Sequence, residues 1–386
     1  MGGDKFFKEK QDDFKFNQIL SGHNVNFLFG SGASRPAYST LSLGGTYTFE
    51  DIISAEKIDE NSKKVLYYFF YKNTIFPMFD LLMDNNRIDS NAQNSIDDTF
   101  KEYKNFIQKI IKFLKNESNE KPKRVNIFTT NYDLMFEKTF QYFSNRGENC
   151  FFNDGGLGFI KRVLNADNYN LNVSKIGVLG NFKNEIPVIN LIKIHGSISW
   201  YLADNNKIEV QCNTNNDIKN KIIDEIDRLK INEINKSILK IDSTEELEKI
   251  NENLLSIYNA SSDDFDKFYD YYKKLLIINP DKYKFYETVF NQQYYQQLRN
   301  FTYELEKENT ILIVFGFSFA DEHIREIVKN ALSNPTLKIY VICYKEKDVE
   351  KIKEDFKTNR NIEFLPNHEK SPSIYGNFDY LNSLFI

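Results

Sequence analysis

Cysteine is scarce in this sequence of 386 residues, and its three copies lie far apart. Cys150, Cys212 and Cys343 form no CxxC pair, so a zinc site of four cysteines is excluded within one chain. The same scarcity argues against a disulfide framework. We therefore expect the protein to work in the reducing cytoplasm.

Long apolar runs and excess positive charge are missing as well. No stretch of about 18 apolar residues is present, which argues against a membrane-spanning helix. The first residues are charged and lack the apolar core of a signal peptide. The net charge of −5 argues against direct nucleic-acid binding. The remaining composition, 41% hydrophobic and 27% charged, is typical of a soluble globular protein.

Short apolar runs recur along the chain, and each ends in a polar cluster. They are rich in Val, Ile and Phe and lack strict alternation, as expected of strands that are buried on both faces. Longer amphipathic segments separate them, so the pattern predicts an α/β fold with a mostly parallel sheet. The predicted strands span residues 25–30, 125–130, 188–196, 274–279, 310–318, 337–344 and 361–366.

Three stretches interrupt this pattern. Residues 45–120 and 203–272 contain charged and amphipathic segments that predict helical insertions. Residues 145–187 predict an irregular insertion rich in loops. Because no internal repeat and no clear linker is present, we expect residues 1–386 to form a single domain that carries these insertions.

The first apolar run ends in Gly30-Ser31-Gly32-Ala33-Ser34. A Gly-x-Gly turn after a strand lets backbone N–H groups approach a phosphate closely, because no Cβ intervenes. The two serines can add hydroxyl donors. The alternative is a tight turn that needs glycine only for a positive φ angle, and the motif alone does not decide between them.

The second run ends in Thr130-Asn131-Tyr132-Asp133. Asn131 and Asp133 are two residues apart, so their side chains share a face in an extended segment. An amide and a carboxylate at the carboxyl end of a buried strand are candidates for ligand binding or catalysis. The alternative is that Asp133 caps the following helix and Asn131 makes an Asx-turn.

His195 follows the third run and precedes Gly196, and it is one of only four histidines. Imidazole is the side chain best suited to move protons near neutral pH. A strand end is where a general base would be presented, although a lone histidine is more often a satisfied core residue.

The fifth run ends in a second glycine turn, with Gly316 and Ser318. Asp321 and His323 follow it, and an Asp-x-His pair without further ligands is a weak metal signal. We prefer to interpret Asp321 as a negative charge that stabilises the start of a helix. Together the strand ends predict a nucleotide cleft that contains an acid–base residue and no metal.

In this order the motifs resemble those of the SIR2-like family, the bacterial branch related to sirtuins. The resemblance covers the sheet core within residues 25–344 and leaves the insertions uncovered. It implies a Rossmann-like fold that binds NAD⁺. The motifs are Gly30-Ser31-Gly32-Ala33-Ser34, Thr130-Asn131-Tyr132-Asp133, Lys193-Ile194-His195-Gly196-Ser197, Gly316-Phe317-Ser318-Phe319 and Asp321-Glu322-His323-Ile324.

The resemblance also implies roles for single residues. Asn131 would lie by the nicotinamide ribose, Asp133 by the carboxamide, and His195 would be the general base. The residues implied to contact the dinucleotide are Gly30, Ser31, Gly32, Ala33, Ser34, Thr130, Gly316 and Ser318.

The chain departs from the sirtuin deacylases in two places. It cannot build their four-cysteine zinc module, and the stretch after its first glycine turn lacks their Asp-Phe-Arg. Both departures favour the SIR2-like NADases of antiphage defence, which cleave NAD⁺ to nicotinamide and ADP-ribose. Such activity needs gating, and the resemblance implies a homo-oligomer with a HerA-type ATPase as its partner. An NAD⁺- or ADP-ribose-binding sensor, a protein deacylase or ADP-ribosyltransferase, and a nuclease subunit are the alternatives.

Overall fold

The computed structural model describes residues 16–35, 37–38, 47–80, 90–118, 122–180, 182–203, 207–212, 223–224, 226–229, 231, 243–279, 292–356, 359–369 and 371–385. Within this part of the chain the strands form one sheet of seven strands, one of four and one of two. The strands are β1 (Asn24–Phe29), β2 (Arg124–Thr129), β3 (Phe151–Asn153), β4 (Gly156–Leu157), β5 (Val163–Leu164), β6 (Val173–Ile176), β7 (Lys183–Ile186), β8 (Val188–Lys193), β9 (Trp200–Leu202), β10 (Ile208–Val210), β11 (Thr310–Phe315), β12 (Lys338–Ile342) and β13 (Ile362–Leu365).

Helices surround the large sheet and fill the insertions. A π-helical segment, Tyr71–Ile75, joins α3 to α4, and a 3₁₀ turn, Ser31–Ser34, follows β1. The helices are α1 (Phe16–Leu20), α2 (Phe49–Ile53), α3 (Glu60–Phe70), α4 (Phe76–Asp80), α5 (Ser90–Asn116), α6 (Met135–Asn145), α7 (Thr244–Ala260), α8 (Ser262–Tyr272), α9 (Gln292–Glu306), α10 (Glu322–Ala331), α11 (Glu346–Phe356) and α12 (Phe378–Ser383).

The large sheet has the order β13-β12-β11-β1-β2-β8-β3, and all its neighbouring strands are parallel. Its two faces are buried against different sets of side chains. Phe27 and Phe29 of β1 pack into one apolar cluster, while Leu28 packs into the cluster on the opposite face. The predicted α/β, Rossmann-like fold with a mostly parallel sheet is therefore confirmed.

The strand order reverses between β1 and β11. From β1 the chain builds the sheet outward through β2 and β8, and from β11 it builds outward in the other direction through β12 and β13. In open parallel sheets, ligands bind at the carboxyl ends of the strands on either side of such a reversal. The two glycine turns, at residues 30–34 and 316–318, follow β1 and β11, so both lie at this position.

Four buried asparagines form a ladder of side-chain hydrogen bonds across β1, β2, β8 and β3. Asn126 donates to Asn26 at 2.8 Å, and Asn190 donates to Asn126 at 2.8 Å. Asn153 extends the ladder by donating to Asn190 at 2.9 Å. Each bonded pair is also a register pair of its two strands. Because a slip of one residue would move an asparagine to the opposite face, the ladder fixes the heights at which these strands end.

Six of the seven predicted strands lie in the large sheet, and the seventh is wrong. Residues 274–279 form no strand; Ile277 makes a single bridge to Gly196. Ile277 and Ile278 are buried in two different apolar clusters, which explains the apolar run without strand pairing. The segment lies against the end of β8, where the backbone N–H of Ile278 donates to the carbonyl of His195 at 2.9 Å.

The predicted helical insertion 45–120 contains α2 to α5, and the described part of the insertion 203–272 contains α7 and α8. Helix α3 packs on α7 and α8, with Tyr67 stacked on Tyr269 and Tyr68 edge-to-face with Phe268. Most of residues 213–242 lies outside the described residues.

Residues 145–187 hold short strands and turns rather than loops alone. Their turns expose large apolar side chains, among them Phe159, Ile160, Val178 and Leu179. Among the described helices, none combines the length and apolar character that crossing a membrane requires.

Candidate functional site

The two glycine turns pack directly on each other at the reversal point. The backbone N–H of Gly32 donates to the carbonyl of Gly316 at 2.9 Å, and that of Gly30 donates to Phe315 at 3.0 Å. A Cβ added at Gly30 or Gly32 would lie 2.6 or 2.8 Å from the Gly316 oxygen. Only Gly316 among these glycines has a positive φ, +64°. Close approach of two backbones, rather than φ, therefore explains the first Gly-x-Gly.

A cleft of about 500 Å³ opens beside this contact. Ser31, Gly32, Thr130, Gly316 and Ser318, all predicted to contact the dinucleotide, line it. Ala33 and Ser34, which were also predicted to contact the dinucleotide, are the buried residues of the same turn and do not line this cleft. The amides of Gly30 and Gly32 are bonded to backbone carbonyls, so the exposed Ser31 is the more available donor to a phosphate.

Arg35 was missed by the sequence interpretation. It lines the cleft and also lines an adjoining cavity of about 870 Å³ that shares Gly32 and Gly316. Lys351 adds a second cation to the cleft, which is also lined by the carboxylate of Asp321. A basic residue directly after a glycine turn was the available signal, since phosphates need a charge partner as well as amides.

Asn131 is buried, with 7% of its surface exposed. Its Nδ2 donates to Ser34 Oγ at 3.3 Å, and that hydroxyl shares a 2.7 Å hydrogen bond with the Tyr103 phenol. Burial, followed by the charge of Asp133, raises the pKa of Tyr103 well above its usual value, so the phenol stays neutral. Asn131 Oδ1 has no hydrogen-bond partner among the described residues. Asn131 therefore does not form the Asx-turn considered above, and its carbonyl is left to accept a bond from a ligand.

Asp133 is 4% exposed and its Oδ1 accepts a 3.0 Å hydrogen bond from the backbone N–H of Met135. Helix α6 begins at Met135 with Leu134 as its N-cap, so Asp133 satisfies the first backbone N–H of the helix from one position before the cap. A place beside a nicotinamide carboxamide stays a prediction.

Lys193 joins the Asn131 segment to β8. Its ammonium contacts Glu137 Oε1 at 2.8 Å and donates to the carbonyl of Asp133 and, at 3.2 Å, to Ser197 Oγ. Both charged side chains are nearly buried, at 3% and 10% exposed. Burial raises the pKa of Glu137, and Lys193 opposes part of that rise. The pair thereby holds the segment that carries Asn131 against the strand that carries His195.

His195 is buried, and its Nε2 lies 3.1 Å from Nε2 of His323. Strands β8 and β11 are separated by β1 and β2, so their axes are about 14 Å apart at the usual spacing. Residues 316–321 and the start of α10 therefore span the intervening strand ends. Asp321 lies in the same cluster, with a carboxylate oxygen within 4.8 Å of one ring nitrogen of each histidine. Asp321 is the N-cap residue of α10 and its side chain makes no cap hydrogen bond, so the preferred role of a charge at the helix start stays a prediction.

Asn131 and His195 follow neighbouring strands at the same height. Thr129 of β2 is the register partner of Lys193 of β8. Asn131 lies two residues after Thr129, and His195 lies two residues after Lys193. Adjacent strands are about 4.8 Å apart, so both residues start from the same edge of the sheet. Neither residue is among the described residues that line the cleft, so their place together around one dinucleotide stays a prediction.

Comparison with known families supports the resemblance over part of the chain. A family model described as a SIR2-like domain matches residues 256–365. The matched segment contains Gly316 and His323, whereas Asn131 and His195 lie outside it. No curated protein matches the chain. Because SIR2-like domains bind NAD⁺, the match supports an NAD-related function and leaves the reaction open.

Proposed function

We propose that this protein is an NAD⁺ glycohydrolase, which cleaves NAD⁺ to nicotinamide and ADP-ribose. One observation carries the proposal: the buried carbonyl of Asn131, unpartnered among the described residues, lies at the same sheet edge as His195. Thr130, which precedes Asn131, and Asp321, which lies near His195, line the cleft between the two glycine turns. An open dinucleotide cleft alone would suit many functions. An oriented amide and an imidazole beside it suit cleavage of a glycosidic bond.

The cleft residues would bind the substrate through its charges. Ser31 and Arg35 would contact the phosphates, because both line the cleft while the amides of Gly30 and Gly32 are already bonded to backbone carbonyls. Asn131 Oδ1 would accept a hydrogen bond from a ribose hydroxyl or from the attacking water. Because Ser34 holds the Asn131 amide, the carbonyl is oriented before substrate binds, which lowers the cost of positioning.

His195 would accept the proton that the ribose hydroxyl or the water gives up. General base catalysis of this kind contributes roughly 10²–10⁴-fold to a rate. The Nε2 of His323, at hydrogen-bond distance, gives the proton a second acceptor. Asp133 would stabilise the positive charge that develops as the nicotinamide leaves.

The test is nicotinamide release by the purified chain, with Asn131→Ala and His195→Ala as variants. We expect each variant to keep its fold and to lose activity by about 100-fold or more. His368→Ala is the matched control, since His368 is also buried but hydrogen-bonds Cys343 away from the histidine pair. Wild-type rates in both site variants would refute these roles.

A binding module that never turns over is the second candidate. The pairing of His195 with His323, which engages the proposed base, is the observation that favours it. Tight NAD⁺ binding without nicotinamide release, with every candidate partner added, would support this alternative. A deacylase or transferase would instead need an acceptor. Release of free ADP-ribose without any peptide therefore separates a glycohydrolase from both of these enzymes.

We also propose a gated homo-oligomer that acts in antiphage defence with a HerA-type ATPase. The supporting features are the exposed large apolar side chains of residues 145–187, of the kind that protein interfaces cover. The helical insertions 45–120 and 203–272 would add contacts. Sedimentation of the chain at micromolar concentration tests this, and a stable monomer would count against it.

A further inference from the structure

Three potential metal ligands meet at the carboxyl ends of the strands. His195 Nε2 and His323 Nε2 face each other at 3.1 Å. A carboxylate oxygen of Asp321 lies within 4.8 Å of one ring nitrogen of each histidine. They come from two distant parts of the chain, which the segment 316–321 brings together. Two imidazoles and one carboxylate are the ligand set of many three-ligand transition-metal sites.

The distance between the two imidazoles suits a shared metal ion. Two nitrogens bound to tetrahedral Zn²⁺ at 2.0–2.1 Å lie about 3.3 Å apart. The observed 3.1 Å is close to that value, so an ion could replace the shared proton with little movement of either ring. Asp321 needs a larger adjustment, since its carboxylate lies up to 4.8 Å from the imidazole nitrogens.

We propose that His195, His323 and Asp321 bind one divalent transition-metal ion, such as Zn²⁺, and that the bound ion switches the enzyme off. Mg²⁺ and Ca²⁺ do not fit, because they prefer an all-oxygen ligand set. The protein supplies three ligands, so one coordination position stays with water. This site differs in ligands and place from the cysteine module that the sequence excludes.

The inhibitory part rests on the proposed function. A metal ion on Nε2 of His195 occupies the lone pair that would accept a proton. It also fixes the ring against His323 and prevents it from turning to the substrate. Metal binding and proton transfer through this nitrogen therefore exclude each other, and removal of the ion restores the base.

The first experiment measures metal binding without NAD⁺. The full chain is stripped with a chelator and titrated with Zn²⁺ against a chromophoric competitor, and a parallel sample is titrated with Co²⁺ and followed by visible absorption. We expect one tight site per chain and the absorption of four-coordinate Co²⁺. Loss of an outer-shell partner costs about 10–100-fold in metal affinity, so loss of a ligand in His323→Ala or Asp321→Asn should cost about 100-fold or more.

Two controls isolate the site. Cys212→Ser removes a partly exposed thiol, and His368→Ala removes a buried imidazole elsewhere in the chain. Both should keep wild-type affinity and Co²⁺ absorption. The milder His323→Gln replaces His323→Ala if the latter does not fold. Absence of a stoichiometric site in the wild type, or unchanged binding in the His323 and Asp321 variants, would overturn the proposal.

The second experiment follows nicotinamide release with and without Zn²⁺. We expect Zn²⁺ to inhibit the wild type reversibly, with chelator restoring activity. Zinc that leaves the rate unchanged, or raises it, overturns the inhibitory role even if binding is tight. A chain that releases no nicotinamide under any condition would refute the proposed function, while the binding titration still decides whether the metal site exists.

Discussion

Gly32 and Gly316 are joined by a 2.9 Å hydrogen bond between the ends of two adjacent parallel strands. The bond closes the reversal point of the sheet and sets the floor of the cleft. Gly316 adopts φ +64° there, and a Cβ at this position would lie 2.3 Å from the Ala33 nitrogen. The contact therefore depends on the absence of side chains in both turns.

Gly316→Ala should lower the free energy of unfolding by about 2–5 kcal/mol. About 1–2 kcal/mol comes from the left-handed backbone, and the rest from forcing a methyl group into a filled space. Urea denaturation measures the loss. Gly22→Ala is the control, since Gly22 has φ +74° but nothing within 4 Å of its Cβ position. Equal losses in the two variants would show that the close packing of the turns contributes nothing.

Ser34→Ala should reduce nicotinamide release by about 10–100-fold, because Asn131 loses the acceptor that holds its amide and its carbonyl can rotate away. The turnover number should fall more than substrate affinity, since the serine is buried and does not face the cleft. Steady-state kinetics gives both values. Ser62→Ala, a buried serine of α3, serves as the control and should keep wild-type kinetics. An unchanged turnover number in Ser34→Ala would contradict the positioning role.

Asn126→Leu should destabilise the fold by about 2–6 kcal/mol. The leucine has the same branched shape but leaves the Asn26 oxygen and an Asn190 amide hydrogen without partners, at about 1–3 kcal/mol each. Asn26→Leu, at the end of the ladder, breaks one of these bonds and should cost about half as much. Chemical denaturation of the two variants makes the comparison. Equal costs would mean that the ladder does not act through its hydrogen bonds.

Much of the fold could be predicted because buried parallel strands have an unambiguous signature of short, continuous apolar runs. The segment 274–279 has the same signature for another reason, since Ile277 and Ile278 fill the core from an irregular strap. Strands of two to four residues, such as β4 and β5, carry too few residues for any period to appear. Apolar runs predict burial well and strand pairing less well.

The candidate site could be predicted only in part. The residues after the strands were identifiable, because parallel strands end at one edge of a sheet. The contact between His195 and His323 spans 128 residues of sequence, and no local pattern reveals it. The sequence motif that contains Lys193 predicts no role for it. Its partner Glu137 follows the pattern of an ordinary exposed residue of an amphipathic helix, so the ion pair between them could not be predicted.

Glu137 makes the stability of the fold depend on pH. Burial raises its pKa above the usual 4.5, so the folded chain keeps this proton to a higher pH than the unfolded chain does. Where the folded state binds more protons, the free energy of unfolding falls as pH rises. The stabilisation that the protonated Glu137 gives the folded chain is therefore fully present below about pH 4.5. It is lost as the pH rises through the raised pKa of Glu137 in the folded chain.

Glu137→Gln should remove this dependence. Relative to the variant, the wild type should lose about 1.4 kcal/mol for each pH unit by which the pKa of Glu137 is raised. Urea denaturation of both proteins from about pH 4 to pH 8 measures the difference. Thr139→Val changes a buried, non-titrating neighbour on α6, so its profile should run parallel to the wild type. A constant difference between wild type and Glu137→Gln over the whole range would show that the carboxyl titrates alike in the folded and unfolded chains, and that Lys193 fully offsets the burial.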